Sequence, residues 1–183
     1  MGVARHIVAT KQELCSSCQK IYLDTGEEGE VKLFVNEFLP YLEEALEEQG
    51  KIQIGMLARN TIKMYEQALC SVFEERLVHK GRGISLIASS KKEMESTISL
   101  GACQVKGVPR KDLAYFLYPY RGILQTAGVL CGDSEYEEIK EVLFLAGITR
   151  VTSAKHMSSM LNGEAHDGID SLRRYVRVCT WEQ

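Results

Sequence analysis

Apolar residues recur at helical spacing from Glu30 to Gln49, where Val31, Phe34, Val35, Phe38, Leu42 and Leu46 share one side and acidic residues fill the positions between. The pattern predicts a long surface helix that Gly50 stops. A second helix is expected from about Ala58 to Val78, with Ile62, Tyr65, Leu69, Val72, Phe73 and Leu77 on one side and Gly81 and Gly83 at its end. Ahead of both, Ala4 to Leu14 reads as the tail of a helix. Gln19 to Asp24 alternates as a strand and runs into the loop Thr25-Gly26-Glu27-Glu28-Gly29.

The second half alternates short β-type runs with short helices. Gly83 to Ala88 and Ala102 to Lys106 read as strands, with a short helix expected between them from Lys92 to Leu100. Such alternation predicts an α/β sheet. Pro109 opens a short segment through Leu113, Phe116 and Leu117, and Pro119-Tyr120-Arg121-Gly122 turns into the apolar run Ile123 to Leu130, expected to be an interior strand. Ser134 is placed as an N-cap with Glu137 three positions on, starting a helix from Tyr136 to Leu145. Gly147 ends it before a strand from Ile148 to Thr152, which completes a βαβ-like unit. With no internal repeat, low-complexity tract or long linker, residues 1–183 are expected to form one α/β domain, a central sheet covered by helices.

Composition narrows the function classes. The chain has 183 residues, 45% hydrophobic and 26% charged, with a net charge of -3. Lysine and arginine are scattered and the pI is about 5.9, so no phosphate-neutralising stripe points to nucleic acid. No basic head precedes an apolar core at the N-terminus, and no apolar run reaches membrane-spanning length. A cytoplasmic protein is expected.

Six cysteines are spread through the chain, which is large enough to hold itself by core burial. Cys70, Cys103, Cys131 and Cys179 sit in apolar or helical surroundings and read as small buried hydrophobes. Cys15 stands where a helix-like segment gives way to a strand-like run, a way of mounting a thiol nucleophile so that it is aimed. The competing reading is Cys15-Ser16-Ser17-Cys18 as a redox or metal pair. A thioredoxin-like pair opens a helix after a strand, the reverse of the order here. Zinc would need two further ligands at workable spacing, and the sequence has no second CxxC or HxxxH pair, so no metal is expected.

Three stretches resemble one known family. Cys15-Ser16-Ser17 followed by Gln19 and a β run is similar to the nucleophile segment of the LuxC-type long-chain acyl-CoA reductases, of the aldehyde dehydrogenase superfamily. Leu124-Gln125-Thr126 resembles the family's characteristic strand. The tail from Ala146-Gly147-Ile148-Thr149-Arg150-Val151 through Met157, Glu164 and His166-Asp167-Gly168 to Leu172-Arg173-Arg174-Tyr175-Val176-Arg177 and Trp181-Glu182 resembles its C-terminal end.

The resemblance implies a three-layer-like α/β fold, a sheet with flanking helices as in an aldehyde dehydrogenase catalytic domain. It implies that Cys15 attacks a long-chain acyl-CoA, holds the acyl group as a thioester, and yields fatty aldehyde after hydride transfer from NADPH. It further implies that the nicotinamide-cofactor domain of complete members has no counterpart here, which makes the chain a fragment or one half of a split enzyme, with a second chain carrying that domain and a homo-oligomer as expected partners. Three readings of function stay open: this reductase portion, a non-catalytic remnant or assembly module of the family, and a CxxC thiol redox protein.

His166 beside Asp167 is a candidate base. The alternative is structural, with Asp167 capping a helix that starts near Ile169 and Gly168 easing the turn into it. His6, His79 and His156 read as surface or structural histidines. Arg121 is placed to meet a CoA phosphate or to sit solvated or ion-paired, and the acidic run Glu135 to Glu141 reads as a solvated helix face.

Overall fold

The computed structural model describes residues 1–50, 54–72, 76–81, 83–91, 93–95, 102–159, 165, 168–170, 175 and 179–181. Helix α1 (Gly2–Thr10) leads through a turn into strand β1 (Lys20–Leu23), followed by α2 (Glu28–Gln49) and α3 (Ile54–Cys70). Strands β2 (Arg76–Lys80), β3 (Ser85–Ser89) and β4 (Ala102–Gly107) come next, then α4 (Arg110–Leu117). The chain continues through β5 (Thr126–Val129), α5 (Asp133–Leu145) and β6 (Arg150–Ser153). The protein is mixed α/β.

Four strands form a sheet in the order β1-β4-β3-β2, with β1, β4 and β3 parallel and β2 antiparallel at one edge. Strand alternation puts Leu86, Ala88, Cys103 and Val105 on one face, where they meet Val31, Val35, Phe38 and Leu42 of α2 and Ala4 and Ile7 of α1. Those α2 residues are the periodic positions of the sequence, so the stripe between Glu30 and Gln49 is the main core face. Pro40 lies inside α2. It has no amide to offer the Asn36 carbonyl one turn earlier.

Strand β1 serves two cores. Ile21 and Leu23 join the α1–α2 core, whereas Tyr22 points to the other face and packs with α4 and α5, its ring edge-on to Phe116 at 5.5 Å. Arg110 at the start of α4 ties this second unit to the end of β1, donating to Asp24 at 2.9 Å and to Glu135 of α5 at 2.6 Å. Strands β5 and β6 run parallel with α5 as the crossover, the βαβ unit that the sequence predicts.

Several expectations change. The run Ile123 to Leu130 yields only β5, half-buried throughout and in a separate two-stranded sheet, so it is not an interior strand. Each strand of a two-stranded sheet is also an edge, which limits its burial. The helix expected to reach Val78 ends at Cys70, and Leu77 and Val78 belong to β2. Pairing of all five β2 residues with β3 outweighs the local helical period there. Ile62, Tyr65, Leu69 and Val72 are exposed rather than core, and Phe73 lies outside the described residues. Of the helix expected over Lys92 to Leu100, Glu93 to Glu95 are described and are not helical; the remainder lies outside the described residues. The α5 cap sits two residues earlier than expected: Gly132 is the N-cap, and its N–H donates to the Glu135 carboxylate at 3.2 Å.

The second face of β4 inverts the usual pattern, because Gln104 and Lys106 are both buried. Lys106 Nζ donates to the Lys91 and Glu93 carbonyls at 2.9 and 2.6 Å and pairs with Glu95 at 2.9 Å, the two side chains being 2% and 8% exposed. The chain after β3 folds over this strand and brings acceptors to the ammonium. Lys106→Ala removes the cation that faces Glu95 and the donor to two carbonyls, and is expected to cost about 3–5 kcal/mol. Urea unfolding checks this as a lowered midpoint at unchanged slope. Lys106→Met combined with Glu95→Leu is expected to lose far less, because no buried charge then remains at the pair.

Candidate functional site

Helix α1 ends at Lys11 in the left-handed region (φ 51), and Gln12 follows in the same region (φ 57). Two successive non-glycine residues in that conformation need support from their surroundings. The support is local. Gln12 is buried, and its Nε2 donates to the Cys18 carbonyl at 3.2 Å. The Ser17 N–H donates to the Leu14 carbonyl at 2.9 Å, and Ser17 Oγ accepts from the Leu14 N–H at 3.0 Å.

His6, one turn before the end of α1, is the floor of this turn. Its Nε2 accepts the Cys18 N–H at 3.3 Å, and its Nδ1 lies 3.1 Å from Ser158 Oγ. With Nε2 as acceptor, Nδ1 carries the ring proton and donates to the serine. Burial pushes the imidazole pKa below its ordinary value, opposed in part by the Ser16 carbonyl. The histidine is therefore held neutral, the state in which it accepts the Cys18 amide.

Cys15 stands exposed on the turn so held, between α1 and β1 as the sequence places it. The N–H groups of Cys15 and Ser16 donate to no acceptor among the described residues. Cys18, three residues on, is buried and meets Cys103 of β4. The contact with Cys18, and then burial, hold the Cys103 thiol well above the usual range. The two cysteines of the CxxC thus occupy different environments, one in solvent and one in the core.

The other cysteines correct the sequence reading. Cys103 is buried as expected, but Cys70 and Cys179 are exposed and Cys131 is intermediate. Cys70 is the last residue of α3, whose apolar stripe does not turn into the core. His166 and Asp167 lie outside the described residues. Gly168 is described, with φ +75, and a Cβ there would come within 2.8 Å of Thr149. Ile169 itself is a bridge residue, and the helix expected to start near it would run into residues 171–174, which lie outside the described residues. Arg121 lays its aliphatic stem against Gly147, where a Cβ would come within 2.4 Å of its Cγ, and this is a packing role. Among the described residues no group of three or more His, Cys, Asp or Glu is placed to hold a metal ion. No described helix is long and apolar enough to cross a membrane.

A cavity of about 1260 Å³ opens at the carboxyl ends of β1, β4 and β3, lined in part by Lys32, Lys91, Tyr115, Phe116 and Tyr120. Cys15 is not in its wall. The thiol sits at the amino end of β1, and the strand alone separates the two by roughly 13 Å.

Sequence reasoning places Cys15 between a helix and a strand, as observed, but misses the residues that hold the turn. His6 reads as a bland histidine, and Gln12, Ser17 and Ser158 carry no motif. The available signal is indirect: polar side chains at Gln12 and Ser17 bracket a cysteine immediately after a helix, where the backbone needs acceptors and donors from its own side chains.

The geometry thus sets an exposed thiol on a braced helix-to-strand turn of a mixed α/β protein. The family model for acyl-CoA reductase (LuxC) matches residues 1–178, and the chain belongs to that family. No curated protein matches the chain.

Proposed function

We propose that this chain carries the acyl-transfer centre of a fatty acyl-CoA reductase, with Cys15 as the nucleophile that takes a long-chain acyl group from CoA. The observation that most supports this reading is the exposed Cys15 thiol on a turn whose flanking residues are hydrogen-bonded, next to the uncommitted Cys15 and Ser16 amides. The thiolate attacks the thioester carbonyl and forms a new C–S bond. The tetrahedral oxyanion then collapses, expels CoA as its thiolate and leaves the acyl group on Cys15. The proton lost by Cys15 passes through water to the departing thiolate. The two amides suit the oxyanion, and loss of one such donor typically slows acyl transfer about 10²- to 10³-fold.

NADPH supplies the hydride in this family, and its pyrophosphate would ordinarily sit on a helix N-terminus behind a glycine-rich turn. The described strand-to-helix turns do not fit it. The first turn of α2 carries Glu28 and Glu30 beside Glu27 at its cap, and that of α5 carries Asp133 and Glu135. Those carboxylates repel a diphosphate, and the third turn, from β4 into α4, has Gly107 as its one glycine and commits Arg110 to Asp24 and Glu135. The described residues therefore account for acyl transfer alone, and hydride delivery belongs to a nicotinamide-binding unit outside them. In this reading residues 1–183 form one catalytic-type domain of the aldehyde dehydrogenase kind, and His166 stays a candidate base.

The position of the large cavity, away from Cys15, favours the second reading, a non-catalytic assembly module. Stoichiometry separates the two. On mixing the chain with a long-chain acyl-CoA, chromatography is expected to show about one equivalent of free CoA released per chain in a burst. Release no faster than acyl-CoA hydrolysis in buffer would favour the module.

A further inference from the structure

The Cys15 turn is braced from a distant part of the chain. Arg150 of β6 is fixed by its backbone, whose N–H donates to the Gln125 carbonyl at 3.0 Å, and by its pairing with Thr126 of β5. Its guanidinium reaches the turn that follows β6. Nη1 donates to the Met157 carbonyl at 2.8 Å, and Nη2 donates to the carbonyls of Ser159 and, at 3.5 Å, His156. The Ser159 N–H closes the same turn on the His156 carbonyl at 3.0 Å. One planar cation, charged at every working pH, thus gathers the carbonyls on both sides of Ser158.

The Met157 side chain seats this turn. It is buried in the core that holds Ala4 and Ile7 of α1, and a Cβ at Gly128 of β5 would come within 2.5 Å of its sulfur. A thioether adapts to its surroundings, so this packing alone does not aim the polar atoms of the turn. The Arg150 hydrogen bonds are directional and do. They leave Ser158 Oγ 3.1 Å from His6 Nδ1, across 152 residues of sequence. With the Nδ1 proton on Ser158, Nε2 keeps its lone pair for the Cys18 N–H at 3.3 Å. The Ser16 carbonyl also faces the ring and competes for that proton. A proton on Nε2 instead would set two N–H groups against each other at Cys18 and free one end of the turn that carries Cys15. We infer, on the acyl-transfer reading of Cys15, that Arg150 is a positioning residue for the nucleophile, acting through the 156–159 turn, Ser158 and His6.

Arg150→Ala and Ser158→Ala in the full chain test this through two readouts. NMR of the histidine ring nitrogens, with His6 assigned as the signal that His6→Ala lacks, is expected to show the Nδ1–H tautomer in the wild type and a mixture in both variants. A residue that only packs the fold would leave the tautomer unchanged. Acylation by a long-chain acyl-CoA, read as the burst of free CoA, is expected to slow about tenfold or more, since a reacting group misplaced by about 1 Å can lose on the order of 10²-fold. Alkylation of Cys15 by a small reagent should keep its rate. Arg150→Lys keeps the charge but not the planar fork, and should fall between wild type and Arg150→Ala in both readouts. It carries the test if circular dichroism shows Arg150→Ala unfolded. Folded Arg150 variants that keep either the wild-type tautomer or the wild-type acylation rate overturn the inference. A wild type that never acylates overturns the acyl-transfer reading instead, and the tautomer, which needs no acyl-CoA, then decides whether Arg150 sets the turn.

Discussion

Cys15→Ser abolishes acylation by a long-chain acyl-CoA, and Cys18→Ser leaves it. This result is expected because the two thiols differ in access: Cys15 is in solvent and Cys18 is in the core against Cys103. A serine hydroxyl at position 15 keeps the size of the side chain but ionises far less readily than a thiol, so the attacking anion is lost while the turn is kept. Intact mass reads the effect directly, as an adduct of one acyl group present in wild type and Cys18→Ser and absent in Cys15→Ser. A Cys18→Ser protein that fails to acylate although it is folded would assign the chemistry to the CxxC pair and favour the redox reading.

The second large effect is at His6. His6→Ala deletes the acceptor of the Cys18 N–H and is expected to cost about 1–3 kcal/mol, the penalty for a buried donor left unmade. It should also loosen the Cys15 turn, so that acylation slows while alkylation of Cys15 by a small reagent does not. His6 predicts a pH dependence as well. Its folded-state pKa lies below the ordinary 6.5, so the folded protein favours the neutral ring more than the unfolded chain does. The stability it contributes is full above pH 6.5 and is lost as pH falls from there through the folded-state value. Thermal unfolding of wild type against His6→Ala checks this: the difference between them should shrink as pH drops below 6.5. A difference that stays constant or grows would contradict the neutral-acceptor assignment.

Much of the fold is legible in the sequence because two periods dominate it. The stripe from Val31 to Leu46 is one-sided over four turns, and α2 forms with those residues inward. The β5–α5–β6 unit is readable from Gly147, whose φ of +93 lets the helix stop and the strand begin. The α3 stripe is just as periodic, yet it faces solvent. Periodicity reports that a face is apolar and says nothing about whether the cover is intramolecular. Leu77 and Val78 show a different limit, since strand pairing with residues far along the chain overrides a local helical spacing. The burial of Lys106 is illegible for the same reason. Its acceptors arrive from residues 91, 93 and 95, and no local pattern announces them. At the site, the thiol is readable from its position between two elements. The left-handed Lys11 and Gln12 and the His6–Ser158 support are set by tertiary contact, beyond the reach of a residue-type pattern.

The central claim is that one thiol accepts the acyl group. After brief exposure of the wild-type chain to a long-chain acyl-CoA, proteolysis and peptide mass spectrometry locate the modification. The account predicts the acyl mass on the peptide containing Cys15, removable by hydroxylamine as a thioester must be. An acyl group found instead on the exposed Cys70 or Cys179, or on no cysteine while small reagents still alkylate Cys15, would contradict it.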